Sequence, residues 1–254
     1  MRTVIKNGVV HTTLSPIARD GLATIIRSLS RHAKVPKIGA WQDMTSDALW
    51  ARLVSQVCVM GSARGMESLQ ENPKSLAAFQ ADTSLRAVER HKYEVNSLEY
   101  VLRGYGATRF PAKAASTLLA LRSNKQVVRG RRVVLLDGID AFYGAQDIRN
   151  ELMRRCTLFG MKSASDFMIE CGLADDVVAL DTRLVSVFSK HFGYNLKASQ
   201  LQSNPQAYRS VEEALERFCK QESVTLAELD RLLFKFSSIS VIAHLLTSTR
   251  STKR

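Results

Sequence analysis

The stretch DIRNELMRRCTLFGMKSASDFMIECGLADDVVALDTRLVSV, residues 147–187, decides how this chain folds. Ile148, Leu152 and Cys156 recur every four residues while Arg149, Arg154 and Arg155 project elsewhere, which predicts an amphipathic helix with one basic side. Thr157-Leu158-Phe159-Gly160-Met161 then predicts a tight hairpin, with Gly160 expected in a backbone conformation closed to other residues. A second helix is expected to start near Lys162, to bury Ala164, Phe167, Met168 and Cys171, and to end on Gly172 as its C-cap. Two short helices joined in this way point successive backbone amides at one phosphate, an anchor that reads no base sequence. An αα-hairpin containing a glycine is also common in any helical protein, so plain packing stays open at this point.

Two polar residues add chemistry to the hairpin. Lys162 opens a helix, where the macrodipole places partial positive charge, so with partial desolvation its amine is expected at a lowered pKa and as a better nucleophile. Asp181 follows the apolar run Val177-Val178-Ala179-Leu180 and is expected to open the next helix as its N-cap. The ordinary roles of such residues are a solvated surface charge and a cap.

Outward from this stretch, helical periodicity dominates, and the fold class read from the sequence is all-α. Leu49, Leu53 and Val57, with Trp50, Val54 and Cys58 beside them, mark a helix capped by Asp47 or Ser46. Helices are also expected over Asp82 to Tyr93 and Val95 to Leu102, with a break at Arg103-Gly104-Tyr105-Gly106, and from Pro111 to about Arg122. Val133-Val134-Leu135-Leu136 is read as helix in preference to strand. Residues 195–206 read as a loop or weak helix, Ser210 to Cys219 as a helix, and Thr225 to Phe236 as another opened by the capping box Thr225 and Glu228. The tail Thr247 to Arg254 is the candidate for disorder.

Composition narrows the function. Hydrophobic residues make up 45% of the 254 residues, enough for real cores, and 36 Lys and Arg against 24 Asp and Glu give a net charge of +12. That excess favours a polyanionic partner, with nucleic acid first. Cys58, Cys156, Cys171 and Cys219 lack the close spacing of a zinc or iron–sulfur site and fit buried, reduced thiols. No apolar run approaches the ~18 residues of a membrane span, and the N-terminus has no signal core, so no membrane partner and a cytoplasmic, nucleoid-associated protein are expected.

Lys162-Ser163-Ala164-Ser165-Asp166-Phe167, then Gly172, then Val178-Ala179-Leu180-Asp181-Thr182-Arg183-Leu184, resembles the helix-hairpin-helix DNA glycosylase superfamily. Within it the chain looks most like the compact 8-oxoguanine DNA glycosylases best known from archaea. Leu49 to Met66 is similar to their early helix and following loop, residues 106–114 (GATRFPAKA) to their Arg-Phe-containing helix start, and Leu229-Asp230-Arg231-Leu232-Leu233-Phe234 to their last helix. The likeness spans roughly residues 45 to 236.

The resemblance implies two helical subdomains, residues 1–44 with 166–254 and residues 45–165, with the pocket between them. It implies that a damaged purine, 8-oxoguanine foremost, is rotated out of double-stranded DNA. Lys162 is then the catalytic nucleophile that forms a Schiff base and permits strand cleavage, and Asp181 the catalytic carboxylate that stabilises charge on the sugar and manages protons. The hairpin backbone at Leu158, Gly160 and Met161 would hold a phosphate, with a monovalent cation between hairpin carbonyls and that phosphate. Arg183 would touch a phosphate, and Phe234 stands where relatives usually carry a stacking Trp. No other metal or organic cofactor is implied, and a monomer is expected. The sequence departs from relatives at Leu158, usually Gly, and at Gly61, near their gap-filling Asn, where Ser62 or Arg64 would substitute. It also runs about twenty residues past their C-terminus. Two other readings stand beside this one: the same fold acting on an oxidised pyrimidine or alkylated purine, and a non-catalytic DNA-binding repair protein in which Lys162 only touches phosphate.

Overall fold

The computed structural model describes residues 2–6, 9–91, 95–237 and 239–251. In order, the chain forms β1 (Arg2–Lys6), β2 (Val9–Thr13), α1 (Pro16–Leu29), α2 (Ser46–Cys58), α3 (Arg64–Glu71), α4 (Pro73–Asp82), α5 (Leu85–Arg90), α6 (Val95–Gly104) and α7 (Pro111–Ser123). It continues through β3 (Val128–Arg129), β4 (Arg132–Val133), α8 (Ala145–Arg155), α9 (Met161–Cys171), α10 (Thr182–Phe192), α11 (Ala198–Ser203), α12 (Pro205–Gln221), α13 (Leu226–Lys235) and α14 (Ile239–Ser251). The fold is all-α, and the strands among the described residues are two short antiparallel hairpins, β1-β2 and β3-β4. None of the helices among the described residues is long and apolar enough to cross a membrane.

The chain divides into two compact units, residues 40–159 and residues 1–39 with 160–254. In the first, α7 packs against α2, α5 and α6 and buries Ala114, Ala115, Leu118 and Leu121. Trp50 on α2 is fully enclosed there, and its indole N–H donates to the Thr83 carbonyl at 2.8 Å, so the polar end of a large apolar ring is satisfied. In the second unit α9 is buried on almost every side, with Ala164, Phe167, Met168, Ile169 and Cys171 at zero exposure. A helix enclosed in this way is held by packing on all faces. Around it α1 meets α10, α13 and α14, and α12 meets α11, α13 and β2.

Several local expectations need correction. Neither Ser46 nor Asp47 caps α2; Thr45 does, its hydroxyl accepting the Ala48 N–H at 3.2 Å. The helix expected over Asp82 to Tyr93 is interrupted, because α4 ends at Asp82 and the Ser84 hydroxyl accepts the Ala87 N–H to begin α5; Tyr93 itself lies outside the described residues. Val133 to Leu136 is not helical. Val128 and Val133 pair antiparallel around Gly130, which has a left-handed φ of 60°, and Val133, Val134, Leu135 and Leu136 are all buried. Four consecutive inward-facing apolar residues reflect a strand end running into a turn, which periodicity does not separate from a buried helix. The tail expected to be disordered continues as α14 to Ser251, and residues 252–254 lie outside the description.

Candidate active site

The hairpin that precedes the site closes locally, with Phe159 N–H donating to the Cys156 carbonyl at 3.0 Å. Gly160 does not occupy the special conformation expected of it: φ −105° and ψ −174° are extended backbone open to any residue. A Cβ built there would meet nothing within 4 Å, so the backbone at the start of α9 is uncovered. The Gly160 N–H donates to the Ser163 hydroxyl at 2.9 Å and fixes the entry to α9. Met161 is buried, and Leu158 is half-buried in the turn. Gly172 ends α9 in the left-handed region at φ 66°, as expected of a C-cap glycine.

Lys162 lies in the first turn of α9 and its Nζ donates to Asp166 Oδ2 at 2.9 Å, one turn along the same helix. Burial of the amine pulls its pKa down, but Asp166, with Asp181 and Asp230 adding to it, outweighs that, and the net shift is upward. The expectation of a depressed amine is therefore wrong. Desolvation is the largest single influence, and it is outweighed by the three carboxylates together. Asp166 is shared, since its Oδ1 accepts from Arg231 Nη1 at 2.8 Å, and Arg231 Nη2 donates to the Asp166 main-chain oxygen at 3.4 Å. Burial alone pushes the Asp166 carboxyl up, yet Lys162 and Arg231 together hold it well below the usual carboxylate range.

Asp181 is placed by an unusual segment. Val177, Val178, Ala179 and Leu180 are buried and extended but lie in no sheet, so their main-chain groups need other partners. Side chains from α12 and α13 supply them. Glu212 accepts the Val178 N–H at 3.1 Å, Asp230 Oδ1 accepts the Ala179 N–H at 2.8 Å, and the Tyr208 hydroxyl accepts the Leu180 N–H at 3.0 Å while donating to the Val178 carbonyl at 2.6 Å. Held so, the chain delivers Asp181 to the N-cap of α10, where its Oδ1 accepts the Leu184 N–H at 2.8 Å. Burial pushes the Asp181 carboxyl up, opposed by the Leu184 N–H and by Lys162. Asp230 lies deeper. Burial lifts it to about 7, with Arg231 opposing and Asp166 adding to the rise.

Arg183 and Phe234 meet directly: the guanidinium carbon sits 4.5 Å from the ring centroid, within cation–π range. Arg64 and Gly61 belong to the other unit. Arg64 is exposed at the first position of α3, with its N–H 3.4 Å from the Ser62 hydroxyl. Gly61 has φ 80°, and a Cβ there would come within 2.5 Å of the Phe110 ring, so no side chain fits at that position. The structure thus gathers Lys162 with Asp166, Asp181, Asp230 and Arg231, and pairs Arg183 with Phe234. Sequence reading singled out only Lys162, Asp181, Arg183 and Phe234 among these. The spacing of four between Lys162 and Asp166 was the available signal for the ion pair; nothing local marked Arg231 or Asp230.

The family model for 8-oxoguanine DNA glycosylase matches residues 69–224. The fold is similar to that of the Methanocaldococcus jannaschii 8-oxoguanine DNA glycosylase, with a TM-score of 0.61 at 17% identity over 87% of this chain and 93% of that one. The same archaeal glycosylase/lyase in complex with DNA containing 8-oxoguanine gives 0.56 at 19% identity, over 83% and 87%. The Thermotoga maritima 8-oxoguanine DNA glycosylase gives 0.59 at 18% identity, over 88% and 97%. No curated protein sequence matches the chain significantly.

Proposed function

Since the chain belongs to the 8-oxoguanine DNA glycosylase family, we propose that it excises an oxidised purine, 8-oxoguanine foremost, from double-stranded DNA and then cleaves the abasic strand through a lysine Schiff base. The observation that carries this reading is a half-buried lysine amine hydrogen-bonded to Asp166, with the carboxyls of Asp181 and Asp230 in electrostatic range. A lysine that only touched phosphate would gain nothing from three negative neighbours, which repel the anion.

In this reading the Asp181 carboxylate faces the positive charge that develops on the sugar as the bond to the purine lengthens, and only then takes a proton from the Lys162 ammonium, its raised proton affinity suiting it to accept one. The freed lone pair forms a bond to the anomeric sugar carbon as the bond to the purine nitrogen breaks. The bonding electrons leave with the base, which is then protonated. Opening of the sugar ring gives the Schiff base, and loss of a C2′ proton expels the 3′ phosphate by β-elimination. Asp181, ionised before it accepts that proton, stabilises positive charge developing on the sugar.

Binding is assigned to the main chain at Gly160 and Met161 at the head of α9, where a phosphate would take over the Gly160 N–H from the Ser163 hydroxyl, with Leu158 on the preceding turn. A monovalent cation is proposed on the carbonyl oxygens of that turn, where Cys156 O accepts the Phe159 N–H and keeps a second lone pair. Arg64, exposed at the head of α3, and Arg183 are assigned to the DNA backbone, and Phe234, whose ring Arg183 covers, to the extruded base. The acting species is proposed to be a monomer.

Borohydride trapping tests the reading. Wild-type protein incubated with duplexes carrying 8-oxoguanine, another lesion or an abasic site is expected to yield a covalent complex, strongest for 8-oxoguanine among the intact bases. Lys162→Gln is expected to abolish trapping while keeping salt-sensitive DNA binding. Absence of any trapped complex with the wild type sinks the Schiff-base route, and equal trapping on all lesions removes 8-oxoguanine as the preferred base.

A further inference from the structure

Lys162 carries a long flexible stem, and attack on a sugar carbon requires the amine at a fixed near-contact geometry. The side chain that holds the amine is Asp166, at 2.9 Å, and Asp166 is itself gripped by a residue far along the chain. Arg231, on α13, forks onto Asp166 with Nη1 at 2.8 Å from the carboxylate and Nη2 at 3.4 Å from the main-chain oxygen of the same residue. One guanidinium therefore restrains both the side-chain torsion of Asp166 and the turn of α9 that bears it. Arg231 is in turn 3.5 Å from Asp230 Oδ2, whose other oxygen holds the Ala179 N–H two residues before Asp181. Adjacent residues of α13 thus tie down the amine and its carboxylate partner.

We propose that Arg231, acting through Asp166, is the positioning residue that aims the Lys162 amine in the Schiff-base reaction. This rests on the function proposed above. The charged groups facing the cluster are Lys162, Asp166 and Glu170 from α9, Asp181 and Arg183 from the start of α10, and Asp230 and Arg231 from α13. A salt bridge that only stapled α9 to α13 would be complete with Arg231 and Asp166. Here the second oxygen of the same carboxylate is committed to Lys162, so a change at Arg231 reaches the amine through the carboxylate the two cations share.

The test is the rate of borohydride trapping on a duplex with a preformed abasic site, at saturating DNA, so that base recognition plays no part. Arg231→Gln is expected to slow trapping at least tenfold with DNA affinity within twofold of wild type, and Arg231→Lys, which keeps the charge but not the fork, to recover part of the rate while staying at least twofold below wild type. In the double variant Asp166→Asn with Arg231→Gln, trapping is expected to be no slower than in Asp166→Asn alone, since one residue works through the other. Thermal melting is followed for each protein. Unchanged trapping in Arg231→Gln, or multiplicative loss in the double variant, overturns the proposal while leaving the Schiff-base reading intact. If Arg231→Gln does not fold, Arg231→Lys decides: it keeps the charge but not the fork, and it must slow trapping at least twofold with unchanged DNA affinity. Failure of the wild type to trap abasic DNA overturns the reading beneath both.

Discussion

Helices α8 and α9, either side of one hairpin, each carry a carboxylate shared between two cations, and the two arrangements work differently. On α8, Glu151 accepts from Arg154 at 2.6 and 2.7 Å and from Arg155 at 2.6 Å, all within one helix. Arg155 sends its remaining reach to the main-chain carbonyls of Leu135 and Asp137, at 2.8 and 2.7 Å, and so ties the segment after β4 to α8. On α9, Asp166 takes one cation from its own helix and one from α13, and the local one is the amine proposed to react. The first cluster ends on backbone and is architecture. The second ends on an amine with two further carboxylates in electrostatic range, which is the arrangement a reaction needs.

The comparison breaks most sharply at Asp181, the carboxylate that has no counterpart on α8. Asp181→Asn keeps an oxygen to accept the Leu184 N–H, so stability is expected to change by less than ~1 kcal/mol. Single-turnover excision is expected to fall by about 100-fold or more. Excision unchanged in this variant returns the residue to capping alone.

Stability against pH separates the clusters next, because their carboxylates shift in opposite directions. Bonds from Arg154, then Arg155, hold Glu151 down to about 2 against an ordinary 4.5, so its contribution is present above pH 4.5 and lost as pH falls toward 2. Burial lifts Asp230 to about 7 against 3.8, so its contribution is full below pH 3.8 and lost as pH rises to 7, on the order of a few kcal/mol. Denaturant titrations from pH 3 to 8 check this. Asp230→Asn is expected to remove the loss between pH 4 and 7, and Glu151→Gln to flatten the acid limb only.

The smallest effect sharpens the picture of α8. Arg154, 61% exposed, is expected to change stability little when replaced by Ala, as surface ion pairs do. Arg155, 15% exposed and donating to two carbonyls, is expected to cost about 1–3 kcal/mol. Equal losses in the two variants, read from thermal or chemical unfolding, contradict the assignment of Arg155 as the tether.

What was legible in the sequence follows the range of the interactions involved. The cap at Asp181, the capping box at Thr225 and Glu228 and the C-cap at Gly172 are set by neighbours within four residues, and all three hold. The sign of the Lys162 shift was misjudged because a helix dipole was weighed without Asp166, although that residue lies only one turn away. Arg231 and Asp230 carry no role in the sequence beyond their place in the last matched helix, since the contacts that define them reach 65 and 51 residues back. The extended run Val177 to Leu180 likewise depends on Glu212, Tyr208 and Asp230, none of which announces itself as a partner for buried main chain. At the N-terminus, the β-branched runs Thr3-Val4-Ile5 and Val9-Val10 carried a strand signal that an otherwise helical chain obscured.

The most direct test of the central claim is to digest the borohydride-trapped complex and locate the sugar adduct by mass spectrometry. The account predicts the adduct on Lys162 and on no other amine. An adduct on a different lysine or on the N-terminal amine contradicts it.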